Sequence, residues 1–409
     1  MPSRKALLSL LTRQMAEYEQ VTDPTEILIT RISGALTNCI FAVTVKEPSK
    51  YAKKPRKCLL RLYGNGVEDL FPRQIELYWF RILSELRVGP RLWVQFKNGR
   101  VEELLESETL TAADLHDPQT SAWIAEKFAD AHALGRMLET RVPAEFRSVL
   151  LWDRMEAWAS KAESIFDDVS EKFLSRSAEA AAKLKTIQVW ITRCRASDPI
   201  EIALGVFSPR PKTPSFNLLT HLQHTLQARG GSPICFCHND GQYGNILRLT
   251  NPEKSRSSTY SASANAVNPI VFIDYEYAGF NPRGFDLGNH FQEWTADYHS
   301  ATPHVLNPNL YPTAAERHAF LTSYMDTLHR VMGIILPTEQ RRSFLQELER
   351  EVLDYGIVSH LFWALWSVIQ ARNSDIDFDY LGYAAGRFDL FDQAARERFG
   401  TKWMDTVPT

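Results

Sequence analysis

Three oxygen-bearing side chains, each at the end of an apolar run, are the residues of this chain best suited to chemistry. In CFCHNDGQYGNILRL (residues 235–249) an apolar strand end runs into a polar turn holding His238, Asp240, Gln242 and Asn245, then into a second apolar strand. In IVFIDYEYAGFNPRGFDLGNHFQEW (270–294) the apolar run stops on Asp274. Two strands ending in Asp240 and Asp274, with Asn245 between, can set three oxygen groups around one point. Phosphoryl transfer with Mg²⁺ needs such a set: a carboxylate facing the acceptor hydroxyl, and Asn and Asp oxygens on the metal. In that chemistry Asp240 accepts the proton of the acceptor hydroxyl or orients it. Asn245 and Asp274 hold Mg²⁺ against the nucleotide phosphates, and His238 anchors the turn by hydrogen bonds. A polar turn capping a hairpin is the plain alternative. It leaves three polar groups beside apolar strands with nothing to bind, which is costly.

The nucleotide side is less sharply written. Neither G-x-G-x-x-G nor G-x-x-x-x-G-K-[ST] occurs. SGALTN joins two β-branched runs, and Ser33, Thr37, Asn38 and the backbone around Gly34 are suited to hold phosphate oxygens. A simple hairpin turn explains the same residues. Arg61, inside the apolar run CLLRLYG, is out of place in a core and suits a nucleotide phosphate. Glu76, on the following helical segment, is the expected partner of Arg61, as in the lysine–glutamate pair of protein kinases. A structural salt bridge is the competing account.

The acceptor side has an aromatic signal. Tyr277, Trp294, Tyr298, Trp363, Trp366, Tyr380 and Tyr383 lie in the last third of the chain, with Glu276, Asp286, Glu293 and Asp297 among the first of them. Trp363 and Trp366 are three apart, hence neighbours on a helix. Aromatic faces with carboxylates suit a quaternary ammonium, which has no N–H to donate. Core packing is the alternative for any single ring.

The elements that must carry these residues follow from pattern. Residues 1–20 form an amphipathic helix. ILITRISGALTNCIFAVTV reads as two strands, CLLRLYG as a third, RQIELYWFRILSEL as a helix, and RLWVQF with GRVEELLE as a hairpin about Lys97-Asn98-Gly99. After Leu110 the chain is mostly helical: about Ser121–Thr140, then LWDRMEAWASKAESIFDD. A charged, Ala-rich stretch, SEKFLSRSAEAAAKLKTIQVWITRCR, reads as a solvent-facing helix. NLLTHLQHTLQARG is a helix closed by Gly230-Gly231. Residues 205–216 and the Ser/Ala/Asn-rich 250–268 read as loops, the latter mobile. The fold class expected is α+β: a β-rich lobe at 1–106 with a leading helix, and a helical lobe at 107–409 holding the two catalytic strand ends. This is a two-lobed, kinase-like plan.

Composition excludes other classes. With 409 residues and 44% hydrophobic content, a sizeable core is available. A net charge of −3 gives no nucleic-acid or anionic-membrane signal. No 18-residue run is wholly apolar, so no membrane insertion is expected, and the N-terminal apolar run is too short for a signal peptide. Five cysteines, an odd count, suggest reduced thiols and a cytoplasmic protein. Cys235 and Cys237 form C-x-C in an apolar strand without a second pair, which favours buried structural thiols over a metal site.

HNDGQYGNIL with IDYEYAGFNPRGFDLGNHFQEW resembles the choline/ethanolamine kinase family. The likeness extends to CLLRLYG, IELYWFRILSELRVGPRL with GRVEELL, and FWALWSVIQA…DYLGYAAGRFD, covering most of the chain from about Ile32 to Phe391. The resemblance implies a protein-kinase-like fold and ATP-dependent, Mg²⁺-dependent phosphorylation of choline to phosphocholine. That is the first step of the CDP-choline route to phosphatidylcholine. It makes Asp240 the catalytic Asp, puts Gln242 on its loop, makes Asn245 and Asp274 metal ligands and Arg61 an ATP-phosphate contact. It draws the choline pocket from Tyr277, Glu293, Tyr298, Trp363, Trp366 and Tyr383. It also implies a homodimer, common in the family. Gly241 departs from the family, where a side chain such as Leu is expected. Ethanolamine or dual specificity, an aminoglycoside-type kinase, and a catalytically inactive kinase-fold binding protein remain the alternatives.

Overall fold

The computed structural model describes residues 2–32, 38–63, 73–174, 177–195, 217–252 and 268–405, without the side chains of Asn38 and Met404. Ser33, Gly34 and Thr37 therefore lie outside the described residues. So do 205–216 and nearly all of the 250–268 segment. The chain divides into two compact units. The first is Met1–Glu108 with Leu247–Tyr275, and the second is Thr109–Ile246 with Glu276–Thr409. Sequence pattern puts one boundary near 106 and assigns everything beyond it to the helical lobe. The segment Leu247–Tyr275 instead returns to the first unit.

The first unit is built on a five-stranded antiparallel sheet of order β1 (Ile27–Ile32), β2 (Asn38–Val45), β3 (Cys58–Tyr63), β5 (Gly99–Glu103), β4 (Leu92–Phe96). The alternating β-branched runs set a register in which Val43, Cys58, Leu60 and Val101 face one buried layer. Helix α1 (Arg4–Gln14) covers that layer with Leu7, Leu8 and Leu11. The leading helix is thus bound into its own unit, its start capped by the Ser3 hydroxyl. Helix α2 (Arg73–Glu85) buries Glu76, Trp79, Phe80 and Leu83.

The second unit is helical: α3 (Ala112–Leu115), α4 (Pro118–Arg141), α5 (Leu150–Ser164), α6 (Phe166–Leu174), α7 (Ala178–Arg195), α8 (Leu218–Ala228), α9 (Arg283–Glu293), α10 (Ala314–Met332), α11 (Thr338–Asn373), α12 (Tyr380–Phe399) and α13 (Thr401–Asp405). Caps fix the starts. Asp117 accepts from Thr120 N ahead of Pro118, and Thr313 with Glu316 forms a reciprocal capping box. Helix α7 differs from expectation. Its charged composition suggests a solvated helix, yet Leu184, Ile187, Trp190, Ile191 and Cys194 form a buried stripe. Helix α11 is long and apolar enough to cross a membrane by length and composition, but 94% of that apolar window is buried inside the protein.

Strand β7 (Ile234–Cys237) does not form a hairpin with β8 (Ile246–Leu249). It pairs antiparallel with β10 (Gly279–Pro282), Gly279 opposite Cys237 and Pro282 opposite Ile234. Strand β8 pairs instead with β9 (Ile270–Phe272) and β6 (Ser107–Thr109). The polar turn between β7 and β8 is therefore a passage between two sheets.

Candidate active site

In the first unit, the inward charge of Arg61 is the organising fact. The register sets Arg61 opposite Ile40 on β2 and opposite Arg100 on β5. Two buried guanidiniums side by side require carboxylates. Arg61 Nε lies 3.4 Å from Glu102 Oε1, and its Nη1 donates to Asp274 Oδ1 at 3.3 Å. Arg100 donates to Glu76 Oε1 at 2.7 Å and Glu102 Oε2 at 2.8 Å, with its guanidinium 4.1 Å from the Phe80 ring centroid. The second Glu76 oxygen accepts from Arg73 at 2.7 Å. The expected Arg61–Glu76 pair is thus replaced by Arg100–Glu76, because strand pairing brings a second arginine that takes Glu76. Arg61 is instead the partner of Asp274. Asp274 adopts a left-handed backbone, φ 63°, at the end of its run. A non-glycine residue there is uncommon, and Asp and Asn are the ones that tolerate it. Of the phosphate-cradle residues, Ser33 and Thr37 are outside the described residues, and only the backbone of Asn38, opening β2, is inside.

In the second unit, one carboxylate builds the loop after β7. Asp286, fully buried on α9, accepts the N–H of His238 at 2.8 Å and that of Asn239 at 2.7 Å. Its Oδ2 also meets His132 Nε2 at 3.1 Å. Burial alone would raise its pKa; the imidazole and the backbone donors outweigh this and hold it below the usual carboxylate range. Asn239 turns through φ 66°. Its amide donates to Tyr277 O at 2.9 Å and accepts from Asn281 Nδ2 at 2.8 Å. With its neighbours fixed on both sides, Asp240 emerges from the bend nearly buried. The His238 ring accepts from Asp240 N at 3.3 Å, the anchoring position expected of it.

Asn245 closes the loop. Its Nδ2 donates to Asp240 O at 3.0 Å and to Asp240 Oδ2 at 2.7 Å. Both partners are acceptors, so the amide nitrogen must face them and the amide oxygen must point away. Among the described residues no donor reaches that oxygen. A carbonyl oxygen set beside a carboxylate is the donor type a hard divalent cation takes, so Asn245 fits such a metal, as the Asp274 carboxylate does.

Gly241 is explained by packing: a Cβ there would lie 2.6 Å from Phe128 Cζ. The ring of Phe128 on α4 fills the space a side chain would occupy. The Gly241 carbonyl accepts from His290 Nδ1 at 2.7 Å, and His290 Nε2 accepts from Trp294 Nε1 at 3.2 Å. This fixes the neutral tautomer, and burial pushes the His290 pKa down to about 4. Gln242, half-buried, gives its carbonyl to Asn245 N.

The predicted acceptor residues form two joined groups. In the first, Trp366 Nε1 donates to the Tyr277 hydroxyl at 2.8 Å, and the Trp363 ring stands edge-on to Tyr277 at 5.3 Å and to Trp366 at 5.5 Å. Trp363 Nε1 also donates to Asn289 Oδ1 at 2.7 Å, while Asn289 Nδ2 reaches Asn239 O at 3.3 Å. The aromatic wall is therefore hydrogen-bonded to the loop that carries Asp240. The Tyr277 hydroxyl is held far above its ordinary pKa by burial, then by the charges of Glu276 and Asp240.

In the second group, Glu293 accepts from Arg387 at 2.9 Å and from the Tyr298 hydroxyl at 2.6 Å, and Arg387 also donates to the Tyr383 hydroxyl at 2.7 Å. Tyr380 and Phe378 continue the rings from Trp366 to Tyr383. Arg387, Asn289 and Asn239 carry no local signal of these roles; they sit inside quoted motifs but act through partners tens of residues away. Arg154 was equally hidden: it donates to Tyr277 O at 3.3 Å, and burial lowers its pKa to about 10. A cavity of about 350 Å³ lies beside this cluster rather than in it, lined by Gln292, Tyr311, Ile357, His360 and Glu397.

A buried acid on a clamped loop, an amide oxygen beside it, and a wall of aromatic rings fit a small-molecule phosphotransferase. The chain belongs to the choline/ethanolamine kinase family, whose sequence model matches residues 29–392. It is accordingly a kinase acting on choline or ethanolamine, of a class that uses ATP and a divalent metal. A probable choline kinase 2 of Arabidopsis thaliana is 32% identical over 92% of this chain and 88% of its own. A human choline/ethanolamine kinase is 32% identical over 90% of this chain and 80% of its own. The crystal structure of a choline kinase from Cryptosporidium parvum superposes with a TM-score of 0.71 at 22% identity, covering 98% of this chain and 97% of the other. The fold is protein-kinase-like, with a small β-rich N-terminal lobe and a large, mainly helical C-terminal lobe.

Proposed function

We propose that the chain phosphorylates choline with ATP, and that its phosphocholine feeds the route to phosphatidylcholine. The observation that carries the choice of choline is the state of Glu293. Both its oxygens are taken, one by Arg387 and one by Tyr298. Asp286 is likewise consumed by the loop clamp. Two of the carboxylates that would meet the N–H donors of ethanolamine are therefore spent. The rings of Trp363, Trp366 and Tyr383 suit a cation without N–H donors, at about 1–2 kcal/mol per desolvated ring.

Asp240 orients the choline hydroxyl and accepts its proton as the oxygen attacks the γ-phosphorus, while the bond from that phosphorus to the bridging oxygen breaks and ADP leaves. Asn245 holds Asp240 Oδ2 and so fixes the carboxylate rotamer. Asn245 and Asp274 would each offer an oxygen to Mg²⁺, which would supply charge neutralisation for the nucleotide phosphates. Arg61 serves the phosphate side, with Ser33, Thr37 and Asn38 as the cradle and Glu76 supporting it through Arg100. Gln242 keeps the loop conformation through its backbone carbonyl.

A substrate panel of choline, ethanolamine and an aminoglycoside, read by ADP release with and without Mg²⁺, tests this. Choline is expected to give the highest kcat/KM, and only with the metal. No turnover of choline alongside turnover of ethanolamine sinks the proposal. Trp366→Ala is expected to raise the KM for choline roughly 10-fold, as loss of about 1–2 kcal/mol implies, with the KM for ATP little changed.

A further inference from the structure

Where α4 crosses β7, the protein holds donor atoms that phosphoryl transfer does not use. Cys235 and Cys237 are two apart on one strand, so their side chains share a face. Their sulfurs are 3.6 Å apart. A ring nitrogen of His132 joins them, and the three donor atoms all lie within 4.8 Å of one another. Gly135, close after His132 on the helix, makes the approach possible: a Cβ there would sit 3.1 Å from Phe236 N. A side chain there would crowd the strand backbone by a few tenths of an ångström.

We propose that Cys235, Cys237 and His132 form a binding site for a thiophilic ion of the zinc type. In a tetrahedron with Zn–S bonds of about 2.3 Å the sulfurs stand roughly 3.8 Å apart, close to the spacing found. Two sulfurs and one imidazole leave one position for water, and this donor set rejects Mg²⁺, which takes oxygen. The site is thus chemically separate from Asn245 and Asp274. The imidazole is already oriented: Nε2 is held by Asp286 at 3.1 Å and Nδ1 by the Tyr324 hydroxyl at 2.7 Å. Whichever nitrogen turns to the ion, the other keeps a partner, as metal-bound histidines require. Binding exchanges one of these two imidazole hydrogen bonds for the ion, while the thiols give up only weak contacts, such as Cys237 Sγ to Asn281 O at 3.4 Å. Each thiol releases its proton to solvent as its sulfur takes the ion. Half-buried Cys235 provides the entry. Asp286 touches both His132 and the N–H groups of His238 and Asn239, so an ion here acts on the catalytic loop.

Titration of the purified protein with Cd²⁺, followed by thiolate charge-transfer absorbance, tests the site. One ion per chain is expected, with competition by Zn²⁺. Cys235→Ser and Cys237→Ser should each weaken binding at least 10-fold, while Cys39→Ser, at an exposed thiol elsewhere, leaves it unchanged. Cd²⁺ should raise the Tm of the unsubstituted protein but not of Cys235→Ser. At fixed Mg²⁺ it should also slow turnover, with Cys235→Ser needing at least 10-fold more Cd²⁺ for the same loss. If Cys237→Ser does not fold, Cys235→Ser decides. No ion bound, a band that survives Cys235→Ser, or one lost in Cys39→Ser overturns the site. Turnover unaffected with the ion bound overturns its action on the loop.

Discussion

In the first unit buried charge is met by buried charge: Arg61 and Arg100 against Glu76, Glu102 and Asp274, with Arg73 at the rim. At the loop after β7, in the second unit, a single carboxylate, Asp286, meets two backbone N–H groups and one imidazole. The first arrangement spreads its charge over six side chains, five on the five-stranded sheet and α2 and the sixth, Asp274, after β9, so its members share partners. The second concentrates the fate of a whole loop in one residue. A shared network adapts when a ligand takes one member, as a nucleotide phosphate would take Arg61. A concentrated clamp holds one geometry, which suits the role proposed for Asp240.

Separating chemistry from clamping gives the largest expected effect. Asp240→Asn should lower kcat by roughly 10²- to 10⁴-fold, the range for a positioned acid–base group, with an unchanged urea midpoint. Asp286→Asn should lower kcat and also cost about 3–5 kcal/mol in urea unfolding, because it breaks a buried charge arrangement. If Asp286→Asn left stability intact, the concentrated clamp would be the wrong description. In the first unit, Arg100→Met leaves Glu76 with Arg73 alone and Glu102 with only the longer Arg61 contact, and should cost about 3 kcal/mol or more. Arg61→Met, whose contacts are longer, should cost less stability and instead raise the KM for ATP. Equal losses from both arginines would contradict the sharing inferred for that network.

The smallest effect concerns the neutral edge of the second region. His290 keeps a folded-state pKa of about 4 against an ordinary 6.5 because burial disfavours its cation. Between those values the unfolded chain binds the proton and the folded one does not, so stability falls as pH drops from 6.5 toward 4. The full loss is roughly 3 kcal/mol at 1.36 kcal/mol per pKa unit. His290→Gln should remove that part of the pH dependence of the urea midpoint. An identical dependence in both proteins would show that His290 is not held neutral.

Much of this was legible. The strand ends at Asp240 and Asp274 announce themselves because polar residues abruptly follow apolar runs. Trp363 and Trp366 show through helical spacing. What hid was non-local. Asp286 acts on N–H groups 47 and 48 residues earlier, and such a bond leaves no period in the sequence. Sequence pairs Glu76 with Arg61 because strand register, which sets Arg100 beside Arg61, cannot be read from either strand alone. Strand β10, Gly-Phe-Asn-Pro, lacks the β-branched residues that mark a strand and exists through its pairing with β7. Helix α7 concealed its buried stripe under a charged average.

Asn239 and Asp274 share one further property, their left-handed backbones at φ 66° and 63°. At such positions the set of admissible residues is small: Gly for conformational freedom, Asn and Asp for local tolerance. Two filters therefore act on each site, one set by the backbone and one by the side chain. An alanine scan would merge them, recording a strained main chain and a missing functional group as one loss. Glycine at the same positions removes only the second, so the gap between the alanine and glycine variants measures what the bend itself demands.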